Sequence, residues 1–226
     1  MSPIHKARFL TLIPAYNEAP SITAVVRGAL AHLPVLVIDD GSTDDTADKA
    51  CMAGAEVLRQ HPNQGKGAAL MAGFEYALEQ DCDAVLTLDA DGQHDPEEIP
   101  AFLQAYAECS ADLIIGQRDF TRMPPVRRVS NTLGTSILSW ALGQPIPDNQ
   151  SGYRLISQRL MRALREPVER GFEFEVEMII VCLLHGYRLG WVPIRTIYAG
   201  EKSHISPLRH GYKFLRISLR ARRVLQ

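Results

Sequence analysis

Cysteine is scarce and scattered in this sequence. The four cysteines, Cys51, Cys82, Cys109 and Cys182, form no CxxC pair, which argues against a zinc knuckle and a disulfide framework and fits a reducing compartment. Long apolar runs are also missing. The longest, MIIVCLL, is far short of a membrane span, and the opening MSPIHKARFL has no apolar stretch of signal-peptide length, so a cytoplasmic location is expected. Net charge is small: 24 Lys and Arg against 26 Asp and Glu give −2. That balance excludes a globally basic nucleic-acid binder and confines any basic site to a local patch. Neither GxGxxG nor GxxxxGK[ST] occurs, which removes most support for a dinucleotide oxidoreductase or a P-loop NTPase. No internal repeat is present.

What is present is a hydrophobic content of 46% over 226 residues, enough for one large α/β domain spanning residues 1–226. Short strand-type runs alternate with helix-type stretches. FLTLI (9–13), VLVI (35–38), EVLR (56–59), AVLTL (84–88) and LIIG (113–116) read as strands. Helices are expected from about Pro20, Asp44, Lys66 and Pro96, with Ser42 and Thr43 before the second and Asp95 before the fourth. That order predicts a mostly parallel sheet with helices on both faces. Beyond residue 119, helices are expected at 130–143, 172–186 and 208–225, and strands at 151–157 and 187–198.

Each of the five runs is followed directly by a polar cluster: PAYNE (14–18), DDGSTDD (39–45), HPNQGKG (61–67), DADGQHD (89–95) and QRD (117–119). In a doubly wound sheet all five meet at the carboxyl edge, where such folds bind ligands. Two carboxylates in Asp89-x-Asp91 sit close at low cost only if a cation joins them. Mg²⁺ typically takes one or two carboxylates and completes its shell with water and substrate phosphates. Asp91 is the expected direct ligand, with Asp89 and Gln93 beside it, and Asp89 has a second reading as a contact to a nucleotide ribose. Asp39 and Asp40 suit a base or ribose hydroxyl, and Gly-Lys-Gly opening a helix suits a pyrophosphate.

PAYNE, DDGSTDDT, NQGKGAAL, DADGQHDP, GQRD and DNQSGYRL, in this order, resemble the family 2 glycosyltransferases with a GT-A fold. The similarity is greatest to the branch of dolichyl-phosphate mannose synthases and bacterial polyprenyl-phosphate sugar transferases, and it runs from about Phe9 to Tyr198. The resemblance implies a nucleotide-diphosphate sugar donor, Mg²⁺ or Mn²⁺, and inversion at the anomeric carbon. It further implies that Pro14, Tyr16, Glu18 and Asp40 bind the nucleotide and that Lys66 lies near the diphosphate. Asp89, Asp91 and Gln93 would form the metal and donor site, and Arg118 would reach the donor diphosphate or an acceptor phosphate. Asp148, Gln150, Ser151 and Arg154 would face the sugar and acceptor, and Lys202, Ser203 and His204 would close over the donor phosphates.

A lipid-phosphate acceptor needs no general base, whereas a hydroxyl acceptor requires a carboxylate, for which Asp148 is the candidate; the same residue also reads as a turn former. His94 reads as a helix-entry residue or as a support for the metal ligands. Arg118, Arg122, Arg127 and Arg128 flank MPP in an expected basic loop. Arg209, Lys213, Arg216, Arg220 and Arg223 share one stripe of the last helix, flanked by Leu208, Tyr212, Leu215 and Leu219. That pattern suits either an anionic membrane surface, with peripheral attachment to the cytoplasmic face of the inner membrane, or packing on the domain. A sugar-phosphate nucleotidyltransferase is disfavoured because PAYNEAPS lacks the glycines its first loop needs. A phospho-receiver module is disfavoured by the length of the chain and by DADGQHD.

Overall fold

The computed structural model describes residues 8–164, 174–195, 197 and 207–225. Seven strands form one sheet in the order β3-β2-β1-β4-β6-β5-β7. They are β1 (Phe9–Ala15), β2 (Val35–Asp39), β3 (Glu56–Arg59), β4 (Ala84–Thr87), β5 (Leu113–Arg118), β6 (Arg154–Ser157) and β7 (Leu189–Ile194). All neighbours are parallel except β6, which runs antiparallel to both β4 and β5. The central strands are buried on both faces, with β2 and β4 wholly buried, and their near-continuous apolar sequences follow from that.

The helices are α1 (Ile22–Leu30), α2 (Thr46–Met52), α3 (Lys66–Glu79), α4 (Ile99–Cys109), α5 (Pro125–Leu142), α6 (Gln158–Ala163), α7 (Phe174–Leu184) and α8 (Pro207–Leu225). They bury two apolar layers, one on each side of the sheet. One layer gathers Leu12, Leu36, Leu70, Phe74, Phe174 and Ile179, and the other Ile13, Val26, Val37, Phe102, Tyr153 and Leu155. Alternate residues of β1 and β2 therefore serve opposite layers, as the two-residue period of a strand requires.

Several boundaries depart from the sequence expectation. α5 begins at Pro125 rather than 130, because Pro124 holds extended dihedrals and Pro125 occupies the first helical position, where its missing N–H costs nothing. Arg127 and Arg128 consequently belong to the first turns of α5 and not to a loop. Ser42 and Thr43 do not cap α2, whose cap position is Asp45; they bond instead to Asn17. Asp95 does cap the turn at Pro96–Glu98, accepting from the Glu97 N–H at 3.1 Å. α6 was not anticipated from the sequence; the Ser157 hydroxyl accepts from the Leu160 N–H at its start.

Candidate active site

The carboxyl ends of β1, β2, β4 and β5 open on one edge of the sheet, and β6, running the other way, enters from that same edge. The segment before β6, residues 143–153, is thereby delivered to the ends of its parallel neighbours. This reversal brings Asp148 to Arg118 and Gly152 to Asp89.

Loop-to-loop hydrogen bonds build one wall. Asn17, in the left-handed region at φ 57°, donates its N–H to the Ser42 hydroxyl at 2.9 Å, and its side-chain oxygen accepts from the Thr43 N–H at 2.8 Å. The Glu18 N–H donates to Thr46 Oγ1 at 2.8 Å. PAYNE and DDGSTDD therefore form one unit, on which Tyr16 is half exposed and Glu18 half-buried, while Pro14 lies buried within β1. Asp39 is buried and accepts from the Ser42 N–H at 3.2 Å through Oδ1.

Asp40 departs from its expected role. Its two oxygens accept from the Gln64 and Gly65 N–H groups, each at 2.7 Å, so the carboxylate fastens the two residues that precede α3. Asp40 thereby ties the loop after β2 to the segment that leads into α3, and it leaves the first-turn amides of that helix to other partners.

Behind that joint lies a partly buried charge cluster. Lys66 Nζ donates to Asp89 Oδ1 at 2.6 Å and to Glu175 Oε1 at 2.7 Å. Burial opposes the charged form of Lys66, but the two carboxylates outweigh it and hold its pKa above the ordinary lysine value. Burial likewise opposes ionisation of Asp89, and the Lys66 ammonium, helped by Arg118, overcomes it and holds the pKa at about 2. A Cβ on Gly152 would sit 2.6 Å from both Asp89 oxygens, so only glycine lets the chain pass this carboxylate.

His94 is structural. Its Nδ1 accepts the Asp89 N–H at 3.3 Å, its ring lies 5.1 Å from that of Tyr153, and Tyr153 stacks on Phe102 at 4.4 Å. Burial pushes its pKa down to about 4, so the imidazole is neutral at pH 7. The 3.8 Å approach of Nδ1 to Asp89 Oδ2 is accordingly not an ion pair.

Asp91 sits one turn outward and half-buried. Its oxygens accept from the Gln93 N–H and Nε2, each at 2.9 Å. No group of three or more His, Cys, Asp or Glu side chains able to hold a metal occurs among the described residues. The donor set is nonetheless of the hard type: two carboxylates and an amide oxygen within five residues, suited to a cation that draws the rest of its shell from a ligand's phosphates. The Lys66 ammonium already compensates Asp89, so of the two carboxylates Asp91 is the better candidate for a direct ligand.

On the opposite side, Arg118 and Asp148 form a two-pronged pair, Nε to Oδ2 at 2.7 Å and Nη2 to Oδ1 at 2.9 Å. Asp148 also accepts from the backbone N–H groups of Arg118, Gln150 and Ser151, and it is fully buried. With five donors on two oxygens, Asp148 is a fastening for Arg118 and for its own turn, not a free proton acceptor. Arg154 is corrected more sharply. Expected at the acceptor, it is fully buried, with its guanidinium donating to the carbonyls of Ser151, Glu175 and Asn149. Gln150 is exposed at the cleft, whereas Ser151 is buried beneath it. Lys202, Ser203 and His204 lie outside the described residues.

Residues 11–165 match the model of the family described as Glycosyl transferase family 2. The chain belongs to that family. It is a family 2 glycosyltransferase with the GT-A fold. Among its relatives is the undecaprenyl-phosphate mannosyltransferase of Micrococcus luteus, 36% identical over 84% of this chain and 84% of that protein. The polyprenol monophosphomannose synthase of Mycolicibacterium smegmatis is 32% identical over 83% of this chain and 76% of that protein. Among solved structures, glucosyl-3-phosphoglycerate synthase from Mycobacterium tuberculosis, in complex with Mn²⁺, UDP and glucosyl-3-phosphoglycerate, superposes with a TM-score of 0.71. That match covers 96% of this chain and 80% of the other at 20% identity, a likeness of fold.

The sequence did not single out Asn17, Gly152 or Glu175. Glu175 had a visible signal: an acidic residue in FEFEVEMIIVCLL, a stretch too apolar to leave a carboxylate unpaired. Gly152 had none, because what forbids a side chain there is a carboxylate 63 residues away.

Proposed function

We propose that this glycosyltransferase moves one sugar, with inversion, from a nucleotide-diphosphate sugar to a polyprenyl phosphate at a membrane face. The observation that carries the acceptor class is the engagement of Asp148. A hydroxyl acceptor must lose a proton as it attacks, and the carboxylate best placed to take it already accepts five hydrogen bonds. A phosphate acceptor arrives ionised and needs no such group. The relatives named for undecaprenyl phosphate and polyprenol support the same reading.

In the reaction an acceptor phosphate oxygen forms a bond to the anomeric carbon on the face opposite the donor diphosphate. The bond from that carbon to the diphosphate oxygen breaks, and its electron pair leaves with the nucleoside diphosphate. Charge therefore grows on the leaving group while the sugar becomes oxocarbenium-like, and cationic groups placed at the diphosphate favour the transition state over the ground state. Asp91, with Asp89 and Gln93, would hold Mg²⁺ or Mn²⁺, which when bound neutralises the leaving diphosphate. Arg118, fixed by Asp148, presents its guanidinium to a phosphate. Tyr16, Glu18 and Asp39 line the nucleotide wall, and Gln150 faces the sugar.

The test compares radiolabelled UDP-, GDP- and dTDP-sugars with a short-chain polyprenyl phosphate and with the corresponding polyprenol. Transfer to the phosphate alone is expected. Asp148→Asn should lower the rate by about 100-fold through misplacement of Arg118 while leaving the shape of the pH–rate profile unchanged. Transfer to the alcohol, with an acidic limb in the profile that Asp148→Asn removes, would contradict the proposal.

A further inference from the structure

Outside the active site, charge is distributed unevenly. α5 and α8 together carry eight of the 24 Lys and Arg residues and none of the 26 Asp and Glu, so the remainder of the molecule is acidic. The two helices pack on each other. The Arg222 guanidinium lies 4.1 Å from the centre of the Trp140 ring and donates to the Trp140 carbonyl at 2.7 Å.

Both helices also leave apolar side chains in solvent. On α5, Val126, Val129, Leu133 and Trp140 fall on one stripe and are 83%, 69%, 60% and 53% exposed. The inward face of α5 is carried by Asn131, Gly134, Thr135, Leu138 and Ala141. On α8, Leu215, Leu219 and Val224 are exposed beside exposed Arg216, Arg220 and Arg223, while Ile217, Ser218 and Ala221 face the protein. Scattered exposed apolar residues need no explanation, but a stripe of them that ends in a half-exposed tryptophan, beside a second helix with exposed cations, does.

We infer that the exposed faces of α5 and α8 form one docking surface for an anionic lipid bilayer. Charge selects this occupant. Basic side chains meet lipid head groups while the neighbouring apolar residues enter the acyl boundary. A second copy of the chain docked face to face would set exposed Arg216, Arg220 and Arg223 against cations of the same kind, a repulsion that disfavours a two-fold dimer through this surface.

The inference rests on, and deepens, the polyprenyl-phosphate reading. The inward face of α5 meets the active-site turn, since a Cβ on Gly134 would lie 3.8 Å from the Asn149 amide and 3.9 Å from Gln150 Nε2. One helix diameter, about 10 Å, thus separates the bilayer from the loop that holds Arg118, within reach of a phosphate at head-group depth.

The experiment uses the full chain with Trp191→Phe, so that Trp140 is the sole indole. The probes are vesicles of phosphatidylcholine alone and of phosphatidylcholine with phosphatidylglycerol, both free of polyprenyl phosphate. The surface predicts a blue shift of Trp140 emission and co-sedimentation with the anionic vesicles only, weakened by salt. Arg220→Gln and Arg223→Gln should each weaken binding about fivefold, and Leu133→Ser should weaken it with no change in circular dichroism. None of the three should slow transfer to a water-soluble isoprenyl phosphate in the absence of vesicles. Equal binding to both vesicles, no binding at low salt, or a blue shift traced by sedimentation to a dimer would each overturn the surface. Vesicle binding without transfer to any isoprenyl phosphate would keep the surface and remove the acceptor reading, and the converse result would do the opposite.

Discussion

At the scale of single residues, the active site is organised around how charges are compensated. Lys66 satisfies the buried carboxylate of Glu175 and the half-buried one of Asp89 at once, and removing one partner of such a group leaves the other charge unpaired at a cost of about 3 kcal/mol. Lys66→Met should therefore lower thermal stability by roughly 6–12 °C, measured by calorimetry, and adding Glu175→Leu should restore part of the loss. Gly152→Ala tests the packing around Asp89. The added methyl must displace that carboxylate, and transfer should fall about 100-fold with the fold intact by circular dichroism. Unchanged activity would mean that the placement of Asp89 is not critical.

The local grouping of Asp89-x-Asp91 and Gln93 was legible in the sequence, and the structure keeps Gln93 bonded to Asp91. Residues were not legible where a role depends on a distant partner. Asp40 and Lys66 sit in motifs that suggest nucleotide and diphosphate contacts. The structure directs Asp40 to the α3 start and Lys66 to Asp89 and Glu175.

At the scale of elements, strand cores and most helix starts followed from periodicity and capping chemistry, with β3 matching its expected range in full. The errors came where proline or competing side-chain bonds moved a boundary, as at Pro125 and at Ser42 and Thr43. β6 was expected as a strand, but its antiparallel direction is set by pairing with β4 and β5, which no local pattern in Arg154–Ser157 encodes.

One joint between elements makes a pH prediction. Asp112, buried before β5, accepts from the Ser157 hydroxyl, the Arg188 N–H and the Arg159 guanidinium. Burial raises its pKa, but these donors outweigh it and bring the folded value below the ordinary one. A depressed carboxylate stabilises the fold above the unfolded pKa, about 3.9, and loses that contribution as pH falls through the folded value. Asp112→Asn should accordingly cost about 2 kcal/mol at pH 7, and the difference from the unsubstituted protein should shrink below about pH 4. A gap that persists at pH 2 in urea titrations would show that the loss is steric rather than ionic.

At the scale of the whole molecule, a sheet edge collects the carboxyl ends of six strands and the start of one reversed strand, the loops after β1 and β2 form one wall, and the turn before β6 enters opposite it. α5 and α8 then place a basic, apolar face one helix away from that turn. The alternation of strands and helices announced this arrangement in outline. It did not announce that the second half of the chain inserts β6 between β4 and β5, which brings Gly152 against Asp89 and Asp148 against Arg118.

The central claim is a metal-dependent nucleotide-sugar site at this edge. Its most direct test is the thermal stability of the protein with UDP-, GDP- and dTDP-sugars in Mg²⁺, Mn²⁺ or EDTA, alongside Asp91→Ala. At about one hundred times its dissociation constant, a ligand of the native state adds roughly 2.7 kcal/mol, a rise of about 5–10 °C for a chain of this size. A rise of that order with one nucleotide, abolished by EDTA and by Asp91→Ala, is the predicted result. A rise that survives both, or no rise with any donor, would contradict the site.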